Sequence, residues 1–294
     1  MIDKLETAGL DETSFKSIAE LAYKESGLQL VAEKMSMIQS RLRHRLKAVG
    51  IDSFPKYAQF VCSDNGISER REMISALTTN VSHFFREQHH FDILQTKVLP
   101  AKIDVLRKGG RFRVWSAGCS NGQEAYSIAM ASLGSYPELS QLDFKILASD
   151  IDQKVVDFAS EGTYPQRLLS GVNQDRLKKY FSECRDGNES SFQAKNLIKS
   201  TITFKELNLL SDWPMKQQMD VIFCRNVIIY FDAVTQNSLW PRFRKQLKPD
   251  GFLFLGHSER ISDPDLSGFA NQGPTTYRHK NAHEELACKE RKCL

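Results

Sequence analysis

Apolar residues recur at helical spacing at the start of the chain, at Phe15, Ile18, Leu21 and Ala22. Ile38, Leu42 and Leu46 repeat the pattern up to Gly50, and Phe54 to Cys62 carries it a third time. Strand-like alternation is missing from the first 88 positions, so residues 1–88 are expected to form an all-α N-terminal domain, followed by a linker over 89–110. From Arg111 the texture changes to short apolar runs bounded by Gly, Asp or Asn. Strands are predicted at Phe112–Ala117, Phe144–Ser149, Ile202–Glu206, Asp220–Cys224, Phe252–Gly256 and Thr276–Arg278. Helices are predicted at Gln123–Leu133, Gln153–Glu161 and Ala233–Leu247, the last stopped by Lys248-Pro249-Asp250-Gly251. This alternation predicts an α/β domain over 111–280, with a largely parallel sheet covered by helices on both faces.

One interval breaks the rhythm. About forty residues separate the helix ending near Gly162 from the strand at Ile202, too many for a bare loop. Tyr180–Cys184, the turn Asp186-Gly187-Asn188 and Ser191–Lys195 predict a small antiparallel hairpin in an insert over about 163–200. Residues 281–294 are a charged tail.

Composition narrows the class. The 294 residues are 41% hydrophobic and 26% charged, the balance of a globular chain, and a net charge of +4 is too small for a nucleic-acid wrapper. Neither a secretion signal nor a run long and apolar enough to span a bilayer is read, so a cytoplasmic protein without membrane insertion is expected. The six cysteines, Cys62, Cys119, Cys184, Cys224, Cys288 and Cys293, follow no disulfide or zinc-site spacing and are expected to be reduced thiols.

The first predicted strand runs into Gly118-Cys-Ser-Asn-Gly122, and a helix opens at Gln123-Glu124. Gly118 at a strand's carboxyl end permits a sharp turn and close ligand approach. The loop lacks the third glycine of a dinucleotide fingerprint, so a nucleoside without phosphates fits better. The next strand ends in Asp150, an acceptor for both ribose hydroxyls, whereas Asp152 reads as a helix cap. Glu124 would pair with the ammonium or sulfonium of S-adenosylmethionine, a carboxylate that a phosphate site would exclude. Two later strands deliver Asn208-Leu209 and Arg225-Asn226 to the same edge.

These residues resemble the CheR-type chemotaxis receptor methyltransferases, over Thr78 to Tyr277 and more loosely before it. The marks are Thr79-Asn-Val-Ser-His-Phe-Phe-Arg-Glu87, Trp115-Ser-Ala-Gly-Cys-Ser-Asn-Gly-Gln-Glu124, Ala148-Ser-Asp-Ile-Asp152, Ile222-Phe-Cys-Arg-Asn-Val-Ile-Ile-Tyr-Phe-Asp232, Leu247-Lys-Pro-Asp-Gly251 and Gly256-His-Ser-Glu259. The resemblance implies a Rossmann-like S-adenosylmethionine-dependent methyltransferase sheet with a small antiparallel β-subdomain. It implies cofactor contacts at Asn80, Ser82, Arg86, Glu124, Asp150, Asn208, Leu209, Arg225 and Asn226. Ser82 replaces the usual Thr, and Asn121 and Gln123 depart from the family's Ser-Thr-Gly-Glu-Glu loop.

The implied activity is protein-glutamate O-methylation of bacterial chemoreceptors, leaving S-adenosylhomocysteine; the alternative is a non-catalytic S-adenosylmethionine-binding adaptor that acts through the β-subdomain. A glutamate side chain is already a carboxylate at neutral pH and needs no general base. Arg86 is the candidate to orient it, assisted by the Tyr230 hydroxyl. No metal is expected, because methyl transfer needs no Lewis acid and His83, His89 and His90 have no completing ligand at suitable spacing. Lys34 to Ile51 holds no acid, and Arg41, Arg43, Arg45 and Lys47 are expected to dock a monomeric enzyme on the acidic helical bundle of a receptor in membrane-bound arrays.

Overall fold

A computed structural model describes residues 9–186 and 189–281; Gly187, Asn188, the tail 282–294 and with it Cys288 and Cys293 lie outside the described residues. Its contacts divide the chain into two units, Met1–Thr79 with Tyr230–Thr235, and Asn80–Ile229 with Gln236–Leu294.

The first unit is built from α1 (Glu12–Ser26), α2 (Met35–Ala48), α3 (Phe54–Cys62) and α4 (Ile67–Leu77). Asp11 caps α1 by accepting the Ser14 amide at 2.9 Å, and Gly27 ends it in the left-handed region at φ 71°. The expected apolar stripes are buried except at half-buried Phe15: Ile18, Leu21 and Ala22 on α1, Ile38, Leu42 and Leu46 on α2, and Phe54, Tyr57, Ala58 and Val61 on α3. Helix α4 escapes the periodicity because a charge, Glu69, stands on its buried face. Arg45 meets that carboxylate bidentately, Nε at 2.9 Å and Nη2 at 2.6 Å, and the Tyr57 hydroxyl donates to it at 2.8 Å.

This packing corrects the reading of α2 as a uniform docking face. Arg41 donates through Nη1 to the carbonyls of Leu77 and Thr78 at 2.7 and 3.0 Å, closing the carboxyl end of α4. Arg45 also pairs with Glu72 at 3.0 Å. Both arginines therefore hold α2 to α4, and of the basic residues from Arg41 to Lys47 only Arg43, His44 and Lys47 are exposed.

The second unit opens with α5 (His89–Ile93), a π-type turn at Leu94–Val98 and α6 (Leu99–Arg107). The segment expected as a linker is thus helical. Phe91, Leu94, Val98, Leu99, Ile103 and Leu106 supply a buried face to the main core, an apolar stripe broken in register by the π-turn.

Next come β1 (Phe112–Ala117), α7 (Gln123–Ser135), β2 (Phe144–Asp150), α8 (Gln153–Glu161), β3 (Thr163–Pro165), α9 (Gln174–Tyr180), β4 (Phe181–Asp186), β5 (Glu189–Ala194), α10 (Asn196–Lys199) and β6 (Ile202–Glu206). The chain finishes with β7 (Met219–Cys224), α11 (Ala233–Gln246), β8 (Leu247–Leu255), β9 (Phe269–Gly273) and β10 (Thr276–His279). Seven strands form one sheet in the order β6-β2-β1-β7-β8-β10-β9. Its first five are parallel, and β10 and β9 close it antiparallel. Strand β9, a largely polar edge, carries no alternation that would have announced it. Lys248-Pro249-Asp250-Gly251 is a register break inside β8, where Met219 faces Leu247 and Val221 already faces Phe252.

The predicted hairpin is present as β4 and β5, and Thr163–Pro165 adds an unforeseen third strand in the order β3-β5-β4. Helix α7 is buried from Ala125 through Leu133, as befits a central layer. No helix among the described residues is long and apolar enough to cross a membrane.

His90 is fully buried against Phe254, with Nε2 3.0 Å from the Thr275 hydroxyl. Burial pushes its pKa down to about 2, and neighbouring Arg225 and His89 add to that. Glu87 Oε2 lies 3.6 Å from Nδ1 but is engaged by Arg225, so no free anion stabilises an imidazolium. The unfolded chain binds a proton near pH 6.5 that the folded chain refuses, so folding stability falls as pH drops below that value. Between pH 7.5 and 5.5 His90 is expected to remove about 1.4 kcal/mol. Urea melts at the two pH values should show this loss, and His90→Gln should flatten it.

Candidate active site

The loop after β1 closes on the end of β2. Ala117 and Ser149 are in register, and the amides of Gly118 and Cys119 both donate to the Ser149 carbonyl, at 2.8 and 2.9 Å. The Ser120 amide donates to Asp150 Oδ2 at 2.8 Å, while Asp150 Oδ1 accepts the Asp152 amide at 3.1 Å. Burial pushes the Asp150 pKa up and these two amides oppose it. Asp152 caps α8 through the Lys154 amide, as expected, and also accepts the Asn80 side-chain amide at 3.0 Å. The Asp150 carbonyl takes the Leu207 amide at 2.8 Å, which fixes the start of the segment after β6. There Asn208 turns its side chain onto the Leu210 amide, and the Leu209 carbonyl accepts from Trp213 and Arg242. Asn80, Asp150 and Asn208 therefore gather at the carboxyl ends of β1, β2 and β6.

The glycines serve the packing of the chain as well as the turn. Gly118 and Gly122 do take left-handed φ values, 90° and 84°. A Cβ on Gly118, however, would strike the Val227 side chain, and one on Gly122 would lie 2.7 Å from Ala159 Cβ. Close packing of the chain on itself excludes a side chain at both.

A second cluster forms around Arg225, whose side chain is 2% exposed at the end of β7. Its Nη1 pairs with Glu124 Oε2 at 3.1 Å and its Nη2 with Glu87 Oε2 at 3.3 Å, and Nη2 also donates to the Arg86 carbonyl. Its guanidinium lies 5.7 Å from the Phe91 ring centre. Glu124 is held on its other oxygen by the Ser116 hydroxyl at 2.6 Å. Burial raises the Glu124 pKa against the pull of Arg225. At Glu87 burial would raise the pKa too, but Arg225 and the His257 amide outweigh it and hold the carboxyl low. Glu87 and Ser116 stand inside motifs quoted above, yet nothing in their spacing told that they would orient Arg225 and Glu124.

Asn226 follows at φ 59°, and Phe85, Glu87 and Ser120 are also left-handed, at 56°, 56° and 49°. Strained turns of this kind persist where the surroundings over-determine them. Ser82 and Arg86 are half-buried, and Arg86 Nη1 donates to the Val81 carbonyl at 3.3 Å. Tyr230 falls in the helical unit, where its carbonyl accepts the Gln29 amide at 3.0 Å.

Four buried polar atoms here, Ser120 Oγ, Gln123 Oε1, Arg225 Nε and Asn226 Nδ2, have no hydrogen-bond partner among the described residues. Leaving such atoms dry and unpaired costs about 1–3 kcal/mol each. A ligand carrying hydroxyl, ammonium and carboxylate groups fits that set. No group of three or more His, Cys, Asp or Glu placed to hold a metal is found among the described residues.

The family model described as "CheR methyltransferase, SAM binding domain" matches residues 80–275, and "CheR methyltransferase, all-alpha domain" matches residues 13–78. The chain belongs to the CheR methyltransferase family. It is 45% identical to a probable chemotaxis protein methyltransferase of Rhizobium etli, over 88% of this chain and 97% of that one. It is 36% identical to the chemotaxis protein methyltransferase of Salmonella typhimurium, over 94% of this chain and 93% of that one. This CheR-family chain is accordingly an S-adenosylmethionine-dependent methyltransferase of chemotaxis. The two family matches meet where the contact units divide, at Thr79/Asn80, nine residues before the boundary read from periodicity.

Removing Arg225 would leave Glu87 and Glu124 buried without their cation. Arg225→Met is expected to cost about 3–5 kcal/mol of stability, the scale for breaking a buried pair. Glu124→Gln added to Arg225→Met should recover part of that loss. Denaturant melts of the two single variants and the double variant measure the coupling, and strictly additive losses would mean that the two side chains stand independently.

Proposed function

We propose that this protein transfers the methyl group of S-adenosylmethionine to glutamate side chains in the cytoplasmic helical bundle of chemoreceptors, forming glutamate methyl esters. The observation that carries the reading is the convergence of Asn80, Glu124, Asp150, Asn208, Arg225 and Asn226 at the carboxyl edge of β1, β2, β6 and β7, in a chain of the CheR family. Bound there, S-adenosylmethionine supplies a methyl group on a positively charged sulfur.

In this reading Asp150 accepts the ribose hydroxyls with the lone pairs that the Ser120 and Asp152 amides leave unused. Asn80, Ser82, Asn208 and Leu209 flank the nucleoside. Glu124 faces the cationic amino-acid end, with its charge balanced by Arg225 so that it does not overbind. Both terminal nitrogens of Arg225 are engaged by Glu124, Glu87 and the Arg86 carbonyl, leaving only its Nε, so Arg86 is the guanidinium whose fork has capacity for a substrate carboxylate or for the carboxylate of the cofactor.

A substrate glutamate arrives ionised at neutral pH, since its ordinary pKa is about 4.3. The work of the protein is to align one carboxylate oxygen with the methyl–sulfur bond and to exclude water. Alignment of this kind is worth up to about 7–11 kcal/mol. Anion and cation neutralise each other during the step, so a poorly hydrated site favours it. Arg86 holds the substrate oxygen that does not react, and the CheR resemblance assigns the Tyr230 hydroxyl a part in turnover.

Labelled S-adenosylmethionine incubated with receptor-bearing membranes should transfer methyl to receptor, and mild base should release it as methanol. Base-stable label would exclude a methyl ester. Tyr230→Phe should lower kcat about 10- to 100-fold, the loss of one hydrogen bond to a charged group, with little change in affinity for S-adenosylhomocysteine. Unchanged turnover would make Tyr230 a packing residue.

Docking is assigned to the exposed Arg43, His44 and Lys47 of α2 and to the β3-β5-β4 subdomain, whose edge strand β4 offers backbone for strand addition. Reversing Arg43 and Lys47 together to Glu should slow receptor methylation and flatten its salt dependence, because exposed charges act on encounter within a Debye length of about 8–10 Å. Initial rates over a salt series check this, and a wild-type slope would move docking to the subdomain.

A further inference from the structure

The loop after β8 carries a carboxylate that the reaction leaves unassigned. Glu259 is 3% exposed, and its two oxygens accept four backbone amides. Oε2 takes Gly256 at 2.6 Å and Asn226 at 2.9 Å, and Oε1 takes Ile228 at 2.7 Å and Ile229 at 3.2 Å. Three of these amides belong to the stretch that begins with Arg225-Asn226 and leads into Tyr230.

Left-handed Asn226 is the reason they converge. With φ at 59° the chain doubles back, so the amides of Asn226, Ile228 and Ile229 aim at one point, a concavity that selects an anion. Glu259 supplies that anion from within the chain. Gly256 leaves room for the clamp and for the Asn226 side chain: a Cβ there would strike Asn226 Nδ2 and would sit 2.6 Å from the Asn226 amide nitrogen and 2.8 Å from Glu259 Oε2.

We infer that Glu259 is a positioning residue for methyl transfer, a carboxylate clamp that joins the loops after β7 and β8 and sets Arg225 and Asn226 at the cofactor site. The inference rests on the proposed role of Arg225 and Asn226 in holding the cofactor. It requires both oxygens as acceptors. An amide at the same place would turn an N–H toward backbone N–H groups and break the clamp without changing size.

Glu259→Gln is the deciding variant; Gly256→Ala, which leaves the carboxylate intact but also strikes the Asn226 side chain, is a supporting one. In each, S-adenosylhomocysteine should bind at least about tenfold more weakly by calorimetry, and kcat per folded molecule should fall by at least about tenfold, because a misplacement near 1 Å carries penalties of up to about 100-fold. A purely structural role would lower the melting temperature while the folded fraction kept wild-type affinity and kcat; that result overturns the inference. Should neither variant fold, Glu259→Asp, which keeps the charge but shortens the reach, is judged by the same criteria.

Amide exchange in the wild-type chain needs no variant. Asn226, Ile228 and Ile229 should be protected, and exchange at the rate of open loops would itself overturn the inference. Failure of the wild-type chain to bind S-adenosylhomocysteine would instead refute the reading of the site, so the two failures are distinct.

Discussion

Arg225 is the point on which the sheet unit's site turns. A guanidinium 2% exposed survives inside a protein only if its charge and its donors are met, and here three separate stretches of chain meet them. Glu87 and the Arg86 carbonyl come from the motif that begins the unit, Glu124 comes from the first turn of α7, and Arg225 itself ends β7. The same contacts that neutralise the cation therefore fix the strand ends relative to the segment that precedes α5. Arg225 also keeps Glu87 ionised despite burial, and Ser116 steadies the free oxygen of Glu124. Stability and site geometry are one arrangement in this cluster, so a substitution that spoils the first spoils the second.

Much of this was legible in the sequence, for reasons that differ from element to element. The parallel strands β1, β2, β6 and β7 are short runs with clear stops, and their predicted bounds differ from the observed ones by at most a residue. Helix α4 was illegible because its inward face carries Glu69, a charge made acceptable only by Arg45 and Tyr57 from elsewhere in the chain. The helices over 89–107 were read as a linker because a π-turn at Leu94–Val98 shifts the apolar stripe out of register. Strand β9 is held by pairing with β10 and not by any pattern of its own.

At the site, the positions of Asp150, Glu124 and Arg225 followed from strand ends, but their partners did not. Arg41 and Arg45 show the difference most plainly. As part of an acid-free run they read as a surface, yet one closes the end of α4 and the other binds Glu69. A charge run in sequence says nothing of the carbonyls and carboxylates that tertiary packing brings to it. Gly118 and Gly122 make the same point for packing, since the atoms that forbid a Cβ there belong to Val227 and Ala159, distant in sequence.

The charge balance of the site bears on what it selects. Glu124 and Glu87 flank the buried guanidinium of Arg225, and Asp150 is a further buried carboxylate at the end of β2. The one anion-seeking concavity formed by the chain after β7 is already filled by Glu259. A phosphate brought to this edge would meet acids on two sides, with the amides that cradle phosphates elsewhere engaged by the chain's own carboxylates. A sulfonium and an ammonium meet the reverse, a site whose negative charge exceeds what Arg225 cancels. On the proposed assignment of Asp150 and Glu124 to the cofactor, discrimination against phosphate-bearing nucleotides would arise from repulsion built into the strand ends as much as from contacts to the cofactor.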